Sequence, residues 1–221
     1  MDTAVSVPGN AHLGGATGYT LVLPPPWRQI PVRSGTRKAV RQISDEAFRR
    51  LPRHISRDKV MSYRIELERR LTSAADQARR HGGTDLYLPV DLAHGTLLAA
   101  SFVASEGWLG DAAGLRAGDI VSRLAAEDAS STRVTVDGVA AVRTEHISSP
   151  DPSAEPGRGS RHVDYVLPVP GAAGRWLVFA FSALGAGDPG DTFADLLVEL
   201  FDAIMSTFRW TRASTGQAKF P

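Results

Sequence analysis

The order of strand-like and helix-like segments constrains the fold of this chain more than any other feature. Helical periodicity comes in separate blocks, the longest over residues 36–81, while strand-like segments elsewhere follow one another as hairpins. A parallel sheet needs strands that alternate with crossover helices, and that alternation is absent. The order therefore predicts an α+β fold, with a single antiparallel β-sheet flanked by helices.

The length of the chain and the positions of its segments rich in small residues, Pro and Gly predict one domain. The chain of 221 residues is long enough for one large core. Residues 1–18 are rich in small side chains and predict a disordered lead, residues 19–210 form the domain, and residues 211–221 form a flexible tail. The Pro, Gly and Ser of residues 148–161 predict a mobile surface loop.

Local patterns predict individual elements within this domain. Apolar residues three and four apart indicate helices over residues 36–51, 57–81, 119–126 and 193–208. The last helix begins either with Pro189 at its first position or with Thr192 and Asp195 as a capping box. Asp137 and Gly138 predict a type I′ turn between two strands.

The stretch LPPPWRQIPV at residues 23–32 has two interpretations. Proline cannot donate to a sheet ladder, so the segment fits a strand end and turn that Trp27 anchors in the core. It also fits a recognition tip, in which Trp27 and Arg28 contact a partner.

Charge is unevenly distributed and predicts a protein partner. Residues 28–81 hold 15 Lys and Arg against 6 Asp and Glu, although the whole chain has a net charge of only +1. Such a split favours either self-complementation or a basic face for an acidic protein, which charge would steer into place. Nucleic acid is not expected, because Phe48 and Tyr63 are the only aromatic residues available for base stacking there. The exposed basic candidates are Arg49, Arg50, Arg53, Arg57, Arg69 and Arg70.

Several function classes lack the residues that they need. The chain has no cysteine, and neither an HExxH motif nor a Gly-rich phosphate loop is present, so we expect no metal and no cofactor. The N-terminus lacks the pattern of a secretory signal. The longest apolar stretch, residues 176–187, is shorter than the roughly 20 residues that span a bilayer. These features predict a cytoplasmic protein with no membrane insertion.

Two further functions stay open as alternatives. A hydrolase could use Asp91 with His94, or Glu145 with His146, as a base and the group that orients it. No GxSxG motif accompanies them, and Ser160 falls in the predicted loop. A small-ligand sensor could instead have a pocket between the sheet and the last helix, around Trp176 and Phe201.

Four segments together resemble a known group of proteins. They are LPPPWRQIPV, ARRHGGTDLYL, VDGVAAVR, and YVLPVPGAAGRWLVFAFSA followed by LVELFDAIMSTFRW. These segments resemble uncharacterised bacterial proteins encoded beside type VII (ESX-type) secretion components. The C-terminal part is also similar to the PsbP-like α/β/α sandwich. The resemblance implies that sandwich and a non-enzymatic, cytoplasmic, protein-binding adaptor or chaperone-like protein, possible partners being components of type VII secretion.

Overall fold

The fold is α+β, as the order of segments predicts. The computed structural model describes residues 3–8, 15–49, 56–91, 95, 98–108, 116–148, 159–184 and 188–212. The strands in these ranges are β1 (Thr3–Pro8), β2 (Ala16–Leu23), β3 (Trp27–Pro31), β4 (Gly83–Pro89), β5 (Ala100–Trp108), β6 (Ser131–Val136), β7 (Val139–Ser148), β8 (Ser160–Pro168), β9 (Arg175–Ala183) and β10 (Arg209–Arg212). The helices are α1 (Thr36–Arg49), α2 (Arg57–Arg80), α3 (Ala117–Glu127) and α4 (Thr192–Ser206).

The strands form two antiparallel sheets, so the prediction of a single sheet is wrong. Seven strands follow the order β3-β4-β5-β9-β8-β7-β6, and three follow the order β1-β2-β10. The chain changes sheets at the three prolines, where a turn closed by the Trp27 N–H and the Pro24 carbonyl (2.9 Å) separates β2 from β3. Proline cannot donate to a ladder, which is why the strand ends there.

The small sheet also corrects the predicted chain ends. Thr3–Pro8 lies within the predicted disordered lead, yet it pairs with β2 from Thr3 opposite Leu23 to Pro8 opposite Gly18. Arg209–Arg212 pairs with the other edge of β2 and runs into the predicted tail. Residues 9–14 and 213–221 lie outside the described residues.

The predicted loop over residues 148–161 is shorter in the structure. Ser148 ends β7 and Ser160 begins β8, and these two residues are opposite each other in the ladder. Residues 149–158 lie outside the described residues.

The main core lies between one face of the seven-stranded sheet, helix α4 and strand β2. We call this the near face of the sheet. Its centre is aromatic: Phe181 stacks on Phe201 of α4 with ring centroids 4.7 Å apart, and Phe102 lies 5.2 Å from Phe201. Aromatic rings bury large apolar areas, so this cluster is the principal stabilising contact between sheet and helix.

Helix α4 begins with a cap that differs from both predictions. Asp191 is the N-cap residue, and its carboxylate accepts a hydrogen bond of 2.7 Å from the Ala194 N–H. The helix therefore starts neither at Pro189 nor with Thr192 as the cap.

The opposite face, which we call the far face, is covered at two places. Helices α1 and α2 pack on β3 and β4 through a separate core: Ile30, Val32, Val40, Ile43, Leu71, Ala75, Ala78 and Leu86. Helix α3 packs on the other end through Val121, with Val142 and Trp176 of the sheet. Between these two helical blocks, none of the described helices covers the sheet, and Ala180 is exposed there.

The turn between β6 and β7 confirms the sequence prediction. Asp137 has φ 47° and Gly138 has φ 76°, and a two-residue hairpin turn of type I′ needs positive φ at both positions.

Candidate functional site

Trp27 is a core residue and not a recognition tip. Its side chain is 2% exposed, and its ring lies 5.5 Å from that of Phe102. As the first residue of β3, it points to the near face, where the main core encloses it. The interpretation as a core anchor is confirmed, and the proposal of Trp27 as a contact residue is wrong.

Three of the predicted basic contact residues already have acidic partners. Arg28 binds Glu46 at 3.2 Å. Arg69 and Arg70 both bind Glu66, at 2.8 and 2.6 Å, and these hydrogen bonds lower the pKa of Glu66 to about 2. Much of the positive charge on α2 is therefore matched within the helix itself, at the spacing of three and four residues that makes helical neighbours.

Of the other predicted basic residues, the described ones lie at the end of α1 and at the start of α2. Arg49, in the last turn of α1, is exposed, and its Nε donates to the Asp45 carbonyl at 3.2 Å. Arg57 is the first residue of α2. Arg50 and Arg53 lie outside the described residues.

The first part of α2 exposes large apolar side chains. Met61, Tyr63 and Ile65 are 51%, 62% and 62% exposed. Met61 and Tyr63 point in different directions around the helix, so this part of α2 exposes apolar side chains on more than one side, while Arg64 in the same segment pairs with Asp45 of α1. The fully buried residues of α2 lie further along, from Leu71 onward. We call Arg49 together with residues 57–65 the hairpin tip.

A shallow groove of about 630 Å³ runs between α1 and α2 beside the hairpin tip. Phe48 contributes an apolar surface to this groove, and Asp45 and Arg64 form an ion pair at its edge. The groove could take the side chain of a partner helix or loop.

A second feature is a row of polar side chains on the far face. The register places Ser101 of β5 opposite Ser182 of β9, Ser182 opposite His162 of β8, and His162 opposite His146 of β7. Ala180, on the central strand β9, is exposed next to this row. We call this region the polar sheet face; it consists of Ser101, His146, Ser160, His162, Asp164 and Ser182.

Strand alternation explains why these side chains meet. Residues two apart on a strand point to the same face, so Ser160, His162 and Asp164 line up on the far face. Val163 and Tyr165 of the same strand are buried on the near face. Polar residues on inner strands are unusual unless water or a ligand reaches them, because a covered sheet face buries them.

Ser160 and His162 form a close hydrogen-bonded pair. The Ser160 hydroxyl lies 2.7 Å from His162 Nε2, and the Ser148 hydroxyl lies 3.0 Å from Ser160 Oγ. The prediction that Ser160 belongs to a mobile loop is therefore wrong, because Ser160 begins β8 and pairs with β7.

Two histidines and one carboxyl group share an electrostatic environment. The His146 and His162 rings stack with centroids 5.0 Å apart and planes 13° apart. Burial lowers the pKa of His162, and the proximity of His146 lowers it further. Burial raises the pKa of Asp164, and the two histidines oppose this effect in part. Neutral imidazole is thus the favoured form of His162 near pH 7.

The structure separates the residues of the other predicted sites. Glu145 and His146 point to opposite faces of β7, and Glu145 binds Arg143 (2.7 Å) and Arg161 on the near side, so their pairing is wrong. Asp91 is described, whereas its proposed partner His94 lies outside the described residues.

The predicted sensor pocket is also divided by the sheet. Phe201 is buried in the main core, while Trp176 packs against α3 on the far face. Trp176 instead lines a groove of about 490 Å³ between α3 and the β8–β9 turn.

The polar sheet face was missed in the sequence, although a signal for it exists. The run SRHVD at residues 160–164 alternates Ser, His and Asp with Arg161 and Val163, which point to the near face. Period-two alternation would have placed them on one face, had the strand been extended back to Ser160. Among the described residues, no group of three His, Asp or Glu side chains is arranged to hold a metal ion.

None of the helices in the described part of the chain combines the length and the apolar character of a membrane span. No protein-family model matches the chain, and no curated protein matches it. Among solved structures, it is similar to LpqN of Mycobacterium tuberculosis, a protein involved in cell envelope biogenesis, at 12% identity and a TM-score of 0.49. The alignment covers 96% of this chain and 92% of LpqN. Similarity at this level assigns neither a family nor a function to the chain.

Proposed function

We propose that this chain is a protein-binding adaptor or chaperone-like protein, and that its hairpin tip binds an acidic partner with apolar anchor residues. The observation that carries this proposal is the exposure of Met61, Tyr63 and Ile65, three large apolar side chains in the first part of α2. The role is non-enzymatic, because it needs only a surface.

The apolar side chains supply affinity in this proposal. Removing apolar surface from water stabilises a complex by roughly 25 cal/mol per Å², and aromatic and Met side chains are enriched in interface cores. Met61 and Ile65 are four residues apart and share one side of α2, so together they give a partner an apolar anchor, and Tyr63 adds a ring on another side of the helix.

The surrounding charge selects the partner. Residues 47–65 contain six Lys and Arg and a single acidic residue, Asp58. An acidic partner is steered towards such a surface, whereas a basic protein is repelled by it. The groove lined by Phe48 lies beside this surface and offers a place for one partner side chain.

The cellular location and the secretion system of the proposed adaptor come from the sequence resemblance described above. It suggests a cytoplasmic protein with a PsbP-like sandwich that serves type VII secretion. The α+β fold is compatible with that sandwich, and the location, the fold family and the secretion system are parts of the proposal.

Site-specific photo-crosslinking in cells tests the proposal. A photoreactive phenylalanine analogue at Tyr63 is expected to give a discrete protein adduct, because this side chain would lie in the interface. The same analogue at Trp108, which is 70% exposed on β5, serves as the matched control and is expected to give none.

A second measurement uses the partner identified by that adduct. Met61→Ser/Ile65→Ser is expected to weaken its binding at least tenfold, and raising the salt concentration is expected to weaken wild-type binding. Ile147→Ser, at a site 51% exposed on β7, is expected to leave binding unchanged. Equal adducts at both positions, or equal binding by all variants, would refute the hairpin tip as the contact surface.

A further inference from the structure

We infer that the polar sheet face is a second functional site, in which Ser160 is a nucleophile and His162 its general base, acting on carboxylic esters with a small acyl group. This inference goes beyond the adaptor proposal and does not depend on it. It starts from the short contact between Ser160 and His162 on a face of the sheet that the helices leave open.

Among the described residues, the helices leave part of the far face beside this site uncovered. Ala180 is exposed on the central strand, although central strands are normally covered on both faces or lined with core residues. Ala180 and Ser182 are neighbours of Asp164 and His162 in the ladder. Ser182 lies directly opposite His162, so a small side chain, and not a bulky one, stands beside the base on β9.

One of the two possible directions of these hydrogen bonds suits a nucleophile. His162 Nε2 accepts the Ser160 proton when the imidazole carries its own proton on Nδ1. In that arrangement the Ser148 hydroxyl, 3.0 Å from Ser160 Oγ, donates to this oxygen and holds it in position. A nucleophile within hydrogen-bond reach of its base is the arrangement that activates serine in acyl transfer.

The charge state of the histidine fits this role. A general base must be unprotonated at the working pH, and burial together with His146 lowers the pKa of His162 below 6.5. Asp164 lies two residues further along the same face, and no hydrogen bond joins it to His162 in the described part of the chain. The arrangement is therefore a pair and not a triad.

The reaction balances without a further reactant besides water. Ser160 Oγ attacks the carbonyl carbon of the ester, and its proton passes to His162 Nε2. The bond from that carbon to the alkoxy oxygen breaks, and the leaving oxygen takes the proton from His162. Water then attacks the acyl carbon and gives a proton to His162, the bond from that carbon to Ser160 Oγ breaks, and Ser160 Oγ takes the proton from His162. The products are the carboxylic acid, the alcohol and free Ser160.

A fluorophosphonate probe tests this inference on the full chain. The probe phosphonylates reactive serines and releases fluoride, so mass spectrometry of the labelled peptide identifies the modified residue. Wild type is expected to be labelled at Ser160, and Ser160→Ala is expected to lose the label. Ser73→Ala removes an exposed hydroxyl on α2, outside the polar sheet face, and is expected to retain the label.

Replacing the base provides the decisive comparison. His162→Gln is expected to slow labelling at least tenfold, since general-base catalysis contributes about 10²–10⁴-fold. The labelling rate of wild type is expected to rise with pH through a pKa below 6.5, a readout that requires no variant to fold. An unlabelled wild type, a label on another residue, or a rate that depends neither on His162 nor on pH in this range overturns the inference.

Discussion

On the polar sheet face, Asp164 is a carboxyl group whose surroundings disfavour its charged form. Burial raises its pKa above 3.8, because the charged form loses its water, and His146 and His162 compensate only in part. The folded chain therefore holds this proton at pH values where the unfolded chain has lost it. The stability that comes from protonated Asp164 is present below pH 3.8 and is lost as the pH rises through the folded-state pKa.

Asp164→Asn removes this penalty and is expected to raise the free energy of unfolding at pH 7. The gain is expected to shrink as the pH falls and to vanish below 3.8, where wild-type Asp164 is protonated in both states. Urea unfolding at several pH values measures both effects. Glu199→Gln, at an exposed position of α4, is the control and is expected to show no comparable gain. A loss of stability in Asp164→Asn at pH 7 contradicts the argument.

Single residues differ in how far their contacts could be predicted from the sequence. The burial of Trp27 could be predicted, because proline-induced chain reversal and an apolar neighbourhood both favour an anchor. The pairing of Arg69 and Arg70 with Glu66 could be read from the helical spacing, yet charge counting alone left these residues as free contacts. The contact of Ser160 with His162 depended on where β8 begins, and the adjoining Pro and Gly hid that boundary.

At the scale of elements, the start of α4 depends on one side chain. The Asp191 carboxylate accepts from the Ala194 N–H, one of the N–H groups that have no partner within the helix. Asp191→Ala is expected to lower the free energy of unfolding by about 1 kcal/mol, within a range of about 0.5–2. Asp191→Asn keeps an acceptor oxygen and is expected to lose much less. Urea unfolding of both variants checks the order, and equal losses would show that charge, not the hydrogen bond, dominates.

Elements with strong internal periodicity could be predicted, and elements held by distant partners could not. Helices α1, α2 and α4 each carry an apolar stripe, and the β6–β7 hairpin carries its Asp-Gly turn. Strands β1 and β10 come from opposite ends of the chain and meet only on β2. Their short sequences have no pattern that identifies such a partner.

At the scale of the whole molecule, the two sheets are joined in the main core. Tyr19 of β2 and Tyr87 of β4 form a hydrogen bond of 2.8 Å between their hydroxyl groups, and they are 4% and 0% exposed. Burial raises the pKa of both hydroxyls, so both stay protonated near neutral pH. The Tyr19 ring also stacks on Phe208, which follows α4. No local sequence pattern indicates this contact between the two sheets, which is why the sequence predicted a single sheet.

This joint predicts non-additive effects of mutation. Tyr19→Phe or Tyr87→Phe leaves one buried hydroxyl without its partner and is expected to lower the free energy of unfolding by about 1–3 kcal/mol. The double variant leaves no such hydroxyl, so its loss is expected to be smaller than the sum of the two single losses. Urea unfolding followed by fluorescence and by circular dichroism measures the three values. Two additive losses would mean that the hydroxyl groups do not couple the sheets, and that aromatic packing around Phe208 holds them together instead.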